Sequence, residues 1–212
     1  MEVLEALHSE GALKPLVFGG GTMLRLCHEL PRYSVDLDFW FVKRLEYGIF
    51  FKKMLRILSN RYEMTDHKSK RFTLLFEFRS GMYHRRMKIE IRKEMAKQGI
   101  EERIAFSKYG SRQVLVKTLS LEEMARRKVE AALTRSELRD YFDLEFLIKK
   151  GIKPEVSNQD RKALISHIHQ FTKRDYQAAL GGLLEKEIRA HYEKRGFESF
   201  LNYLASRSIT TH

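Results

Sequence analysis

Near the start of the chain, Phe18-Gly19-Gly20-Gly21-Thr22 precedes Arg32-Tyr33-Ser34-Val35-Asp36-Leu37-Asp38-Phe39. Two carboxylates separated by one apolar residue are suited to metal chemistry. On a strand, Asp36 and Asp38 share one face while Val35, Leu37 and Phe39 take the other. Side by side they repel and lose hydration unless a hard cation lies between them. Mg²⁺ held by one or two carboxylates plus substrate phosphates is the common resolution. Asp-x-Asp alone is also what a solvated strand edge produces, but the glycines change its meaning. Gly19 to Gly21 permit a turn with positive φ that brings backbone N–H groups to a phosphate. Thr22 then opens a helix over Met23 to Glu29, whose N-terminus favours an anion. No Gly-Lys-Ser/Thr follows, so this is not a Walker A loop, and it is not a Gly-x-Gly-x-x-Gly fingerprint. The segment is expected to be a metal and nucleotide-phosphate site.

A third carboxylate lies in Met87-Lys88-Ile89-Glu90-Ile91-Arg92, where apolar and charged residues alternate. Paired beside the aspartate strand, Glu90 would join Asp36 and Asp38. Three such groups can hold two Mg²⁺ ions about 3.5–4 Å apart for in-line displacement at phosphorus. The plainer alternative is a half-exposed strand with a Lys-Glu-Arg surface ladder. Further candidates are Lys128, Arg135, Arg139, Asp140 and Asp143. On one unbroken helix Lys128 and Asp143 would stand about 22 Å apart. Thr134-x-x-Glu137 has the form of a capping box, so two helices folding back could bring Lys128 to Asp140 or Asp143. A local Arg139–Asp143 pair, one turn apart, is the simpler alternative.

The elements that must position these residues follow from periodicity. The pattern predicts a helix over Glu2 to Glu10, a strand over Leu16 to Phe18, the helix to Glu29, and the aspartate strand over Ser34 to Val42. A helix near Leu45 to Asn60 carries Phe50, Met54, Ile57 and Leu58 on one side. Strands are expected at Thr73 to Phe78, Met87 to Arg92 and Val114 to Lys117. From Ser120 the pattern is helical, with Ser120-x-x-Glu123 as a capping box and Gly181-Gly182 as a break. The expected fold is α+β, a core of mixed sheet and helices over residues 1–118 followed by a helical region over 119–212.

The 212 residues carry a formal net charge of +12, with 43% apolar and 32% charged residues. Those proportions describe a folded, highly charged chain rather than a disordered one, and the positive excess fits an anionic partner such as RNA or nucleotide. No apolar run approaches the ~20 residues of a membrane helix, and Met1 to Glu10 shows no signal-peptide pattern. The single cysteine, Cys27, cannot form an internal disulfide, so the cytoplasm is the default compartment. Zinc spacing and nucleophilic-triad motifs are absent.

Gly-Gly-Thr followed by Arg-x-Ser-x-Asp-Leu-Asp-Phe resembles the first motif of the AbiEii/AbiGii abortive-infection toxins, within the nucleotidyltransferase superfamily. Lys128 followed by Arg139-Asp140-Tyr141-Phe142-Asp143-Leu144 resembles the family's later motif, a helical lysine and Arg-Asp-x-x-Asp-Leu. Gly19 stands where relatives commonly carry a lysine. The resemblance spans Phe18 to Leu144 and implies a nucleotidyltransferase-type core. It implies that Asp36, Asp38 and Glu90 bind two Mg²⁺ ions, and that Gly20, Gly21, Thr22 and Ser34 cradle the triphosphate of an NTP. Arg32 and Lys128 would neutralise its charge, and Asp140 or Asp143 would orient groups or take a proton near the site. The expected activity is Mg²⁺-dependent transfer of a nucleoside monophosphate from NTP to an acceptor, RNA such as tRNA. The protein would act as a toxin restrained by a separately encoded antitoxin. The alternative is a non-catalytic module of the same fold that binds NTP or RNA. The basic tail, with Lys173, Arg174, Arg189, Lys194 and Arg195, could be a solvated face, an acceptor surface or an antitoxin dock.

Overall fold

The structure, a computed structural model, describes residues 1–81 and 83–206, without the side chains of 83–85. It divides into two units: Met1–Glu29 with Ser34–Ser120, and Leu30–Tyr33 with the chain from Leu121 onward.

The first unit contains α1 (Glu2–Ser9), β1 (Leu16–Gly19), α2 (Gly20–His28), β2 (Leu37–Phe41) and α3 (Tyr47–Ser59), then β3 (Glu63–Ser69), β4 (Thr73–Ser80), β5 (Tyr83–Met95), β6 (Ile100–Phe106) and β7 (Gln113–Leu119). The seven strands form one mixed sheet in the order β3-β4-β5-β2-β1-β7-β6. β2 runs parallel to β5, and β1 parallel to β7, while the other neighbours are antiparallel. Alternation sends Leu74, Phe76, Phe78, Ile89, Ile91, Leu37, Phe39 and Phe41 into the core. The apolar stripe of α3 meets them with Phe50, Met54, Ile57 and Leu58, all buried. Phe41 meets Phe50 edge-on with centroids 5.3 Å apart, and Phe51 stacks on Phe76 at 4.9 Å.

The second unit contains α4 (Leu121–Arg135), α5 (Leu138–Lys149), α6 (Asn158–Gln170), α7 (Lys173–Leu180), α8 (Lys186–Arg195) and α9 (Glu198–Ser206). An aromatic cluster of Tyr141, Phe171, Tyr176, Phe197 and Phe200 forms much of its interior. α7 gives way at Gly181, as expected from the glycine pair.

Three expectations are corrected. The aspartate strand begins at Leu37, so Asp36 precedes it rather than lying within it. Strands β3 and β6 are additional. Both are sheet edges with mostly exposed side chains, so burial imposes little apolar alternation on them. Thr134 does not cap a new helix. Its hydroxyl donates to the Glu130 carbonyl inside α4 at 2.8 Å. The break comes instead at Ser136, whose φ of 50° stops the helix, and Glu137 precedes α5 without a side-chain cap.

Candidate active site

Two glycines let β1, β2 and α2 come together. Gly19 pairs with Asp38 across the sheet. A Cβ there would lie 2.6 Å from the Trp40 ring. Gly20 opens α2 with φ +76°, and a Cβ on it would stand 2.3 Å from Asp38 Oδ2. The carboxylate of Asp38 is therefore packed on the first residue of a helix, where peptide dipoles favour negative charge.

The segment leading into β2 is held from α2. Thr22 Oγ1 donates to the Asp36 carbonyl at 2.6 Å and lies 2.9 Å from Ser34 Oγ. Arg25 Nη1 donates to the Ser34 carbonyl at 3.3 Å. Buried Thr22 and half-buried Ser34 thus fix the backbone that carries Asp36.

Asp38 stands directly opposite Glu90, with β2 and β5 parallel at that point. Asp36 and Glu90 also converge on one cation, the Lys88 ammonium, 3.7 Å from Asp36 Oδ2 and 3.6 Å from Glu90 Oε2. Sequence alternation places Lys88 on the Glu90 face, but its bridging position depends on strand pairing. As the side chains stand, no three His, Cys, Asp or Glu groups among the described residues are placed to hold a metal ion. The donor set nevertheless suits one, because carboxylate oxygens prefer hard cations. Lys88 shows that two of these acids share a point where positive charge is stabilised.

In the helical unit, the chain folds back after Ser136 and the later motif gathers into a buried ion network. Lys128, 7% exposed, places Nζ 2.8 Å from Asp140 Oδ1 and 2.5 Å from Asp143 Oδ2. Arg32 clamps Asp143 in two bonds of 2.6 and 2.8 Å and donates to the Tyr33 carbonyl at 3.2 Å. Arg135 holds Asp140 in two bonds of 2.7 and 2.9 Å. Asp143 therefore pairs with Arg32 and Lys128, while Arg139 pairs with Glu137 at 2.5 Å. Burial raises both acids' pKa, but Arg135 and Lys128 for Asp140, and Lys128 and Arg32 for Asp143, pull them net below the ordinary aspartate value. Arg32, 111 residues before Asp143, could be found in this network only from its place in the first motif.

Elsewhere in the helical unit, Glu145 is buried, accepts from the Tyr192 hydroxyl and lies 3.5 Å from Lys149 Nζ. Burial, then the Glu145 charge, raises the Tyr192 phenol well above its ordinary value. In the sheet unit, burial pushes the Cys27 thiol up to about 12 despite the nearby Arg103 charge.

The mixed sheet thus sets a glycine turn against Asp38 and brings Glu90 to face it from a parallel strand. In fold the chain is similar to JHP933 from Helicobacter pylori, with a TM-score of 0.54 and 19% identity, covering 98% of this chain and 92% of that one. It is similar in fold to MenT4, a nucleotidyltransferase toxin from Mycobacterium tuberculosis, with a TM-score of 0.54 and 16% identity, covering 95% of this chain and 83% of that one. A search by sequence of curated proteins finds no match. The chain belongs to the family described as nucleotidyl transferase AbiEii toxin, Type IV toxin–antitoxin system, whose profile matches residues 2–205, and it is a nucleotidyltransferase. Membership in an enzyme family separates it from the binding-module alternative. No helix among the described residues is long and apolar enough to cross a membrane.

Proposed function

We propose that this protein transfers a nucleoside monophosphate from an NTP to RNA, such as tRNA, in a Mg²⁺-dependent reaction. The supporting observation is the facing pair Asp38 and Glu90, with Asp36 and Glu90 sharing the Lys88 cation. In the proposal Asp36, Asp38 and Glu90 hold two Mg²⁺ ions. Bound there, the metal would lower the charge on the phosphates and favour attack by the acceptor hydroxyl. Lys88 yields its place between Asp36 and Glu90 and becomes a cation for acceptor or product phosphate. Gly20 and Gly21, the first residues of α2, are the proposed phosphate contacts through their backbone N–H groups. Thr22 and Ser34 keep the Asp36 segment in register. Glu90, beside the metals, is the group proposed to help activate the acceptor hydroxyl.

For the helical unit we propose that Lys128 and Arg32 are its cations for polyphosphate, held in position by Asp140 and Asp143. Lys128 has three N–H donors and two carboxylate partners, which leaves one donor for a phosphate oxygen. The protein is proposed to act in the cytoplasm as a toxin held in check by an antitoxin encoded separately.

Each labelled NTP, incubated with the protein, total RNA and Mg²⁺, tests the proposal. Labelled RNA that disappears with chelator and with Asp36→Asn or Asp38→Asn is expected. Labelled product that survives nuclease treatment would instead place the acceptor among proteins or small molecules, leaving the transferase in place.

A further inference from the structure

The turn between β3 and β4 has a construction that holding a nucleotide at Asp36, Asp38 and Glu90 does not require. The N–H of Lys70 donates to the Thr73 carbonyl at 2.8 Å and closes it. Lys93 on β5 clamps it from the side. Its N–H donates to the Phe72 carbonyl at 2.8 Å, and its Nζ donates to the Lys70 carbonyl at 2.5 Å and Ser69 Oγ at 3.3 Å. The apex residues Arg71 and Phe72 are thereby held out to solvent. Phe72 is 69% exposed, with the Arg71 guanidinium 5.0 Å from its ring centroid.

Lysines on an edge strand have an ordinary use, since they discourage pairing with other chains. Lys68 fits that role and pairs with Asp66 at 3.1 Å, an exposed contact of small worth. An aromatic ring presented on a rigid turn among cations does not serve it. Besides Arg71, which lies over the ring, Lys68 and Lys70 are neighbours in sequence and Lys93 clamps the turn, and residues 70–72 contain no acid. Proteins that bind single-stranded nucleic acid combine these two features, cations that track phosphates and aromatic rings on which bases stack.

Sheet register ties the turn to the carboxylates. Lys68 is opposite Leu75, Leu75 opposite Glu90, and Glu90 opposite Asp38. These positions form one cross-strand row on a single face of the sheet. At about 4.8 Å per strand spacing, Lys68 lies roughly 14 Å from Asp38 along it. Arg92, exposed on the same face and 5.5 Å from the Trp40 ring centroid, lies one step along β5 from Glu90.

We infer that the β3–β4 turn, Lys68 to Thr73, docks single-stranded RNA upstream of the end at the carboxylates. Phe72 with Arg71 forms the platform for one base, and Lys68 and Lys70 meet the flanking phosphates. This rests on the reading of RNA as acceptor and adds where and how that RNA is held. Anisotropy of a fluorescent single-stranded oligoribonucleotide, measured beside calorimetric NTP binding, tests it on the full chain. Phe72→Ala is expected to weaken RNA binding about tenfold. Phe72→Trp should keep it, and neither should change NTP affinity or thermal melting. Lys68→Ala and Lys70→Ala should each lower the salt slope of RNA binding by about 0.7. Equal RNA affinity for wild type and Phe72→Ala overturns the inference while RNA remains the acceptor. Loss of NTP affinity in Phe72→Ala also overturns it, because the ring would then be holding the nucleotide's base. Wild-type protein that transfers to a nuclease-resistant acceptor and does not bind RNA overturns both readings together.

Discussion

At Gly20 the backbone and the chemistry are inseparable. Its φ of +76° is one an L side chain adopts only with strain, and the space a Cβ would need is taken by Asp38 Oδ2. Gly20→Ala is therefore expected to push Asp38 off its position opposite Glu90. A shift of this kind costs transfer about a hundredfold. The backbone strain lowers stability by about 1–3 kcal/mol. Initial rates and urea melts read the two effects separately. Asp36→Asn or Asp38→Asn should leave the fold intact, because the change keeps the side chain's shape and neither residue is fully buried. Either variant should abolish transfer, and calorimetry should show NTP binding that no longer responds to Mg²⁺; wild-type-like, metal-responsive titrations would remove these acids from the site. At Cys27 the expectation runs the other way. With its thiol raised to about 12, it stays protonated at pH 8 and should resist iodoacetamide until urea unfolds the chain. Mass spectrometry of alkylated protein checks this.

The α4–α5 corner is held by a buried network of ion pairs. An exposed phosphate-binding lysine would be lost at a cost of roughly half a kcal/mol. Lys128 is instead buried between two carboxylates, and Lys128→Ala leaves them with only Arg32 and Arg135. Removing one member of such a buried network costs about 3–5 kcal/mol. Chemical denaturation of Lys128→Ala, compared with Lys173→Ala on the exposed face of α7, tests this. The same network gives a pH dependence. Asp140 and Asp143 have folded-state pKa values below the unfolded one, so their contribution is complete above about pH 4. It is lost as pH falls through the folded values, when both must take up protons. Circular dichroism from pH 6 to pH 2 should show cooperative loss of helix in that acid range. The loss should begin at higher pH in Arg32→Gln, which removes one cation from Asp143.

For the whole molecule the governing quantity is the +12 net charge. RNA binding that neutralises several phosphates releases counterions, so its affinity should fall steeply with salt. NTP binding depends on a few metal and backbone contacts and should fall much less over the same range. Parallel titrations from 50 to 300 mM KCl compare the two slopes. Two basic clusters near the carboxylates in sequence, Lys68 to Arg71 and Arg85 to Lys88, would steer RNA; the first spans the end of β3 and its exposed turn, and the side chain of Arg85 lies outside the described residues. The tail cations Lys173 and Arg174 lie on α7, and Arg189, Lys194 and Arg195 on α8.

Sequence alone determined the parts of this protein written locally. The glycine turn with its Asp-x-Asp, the alternation around Glu90, the stripe of α3 and the change from sheet to helix near residue 120 each arise from neighbours a few residues apart. Periodicity of 2 or 3.6 records such relations directly. The family was legible for the same reason, since each of its two motifs consists of short strings of residues close together in the chain. Tertiary structure alone decided which groups meet across the chain. Asp38 stands opposite Glu90 because β2 and β5 pair in parallel with one register, and Arg32 holds Asp143 across 111 residues. Periodicity cannot encode a partner at that separation. Nor could it show that Lys128 is buried, because a lysine on a helix has the same spacing whether water or two carboxylates surround it. The edge strands β3 and β6 were hidden for a related reason. Their identity lies in hydrogen bonds to a neighbouring strand, which leave no mark on exposed side chains.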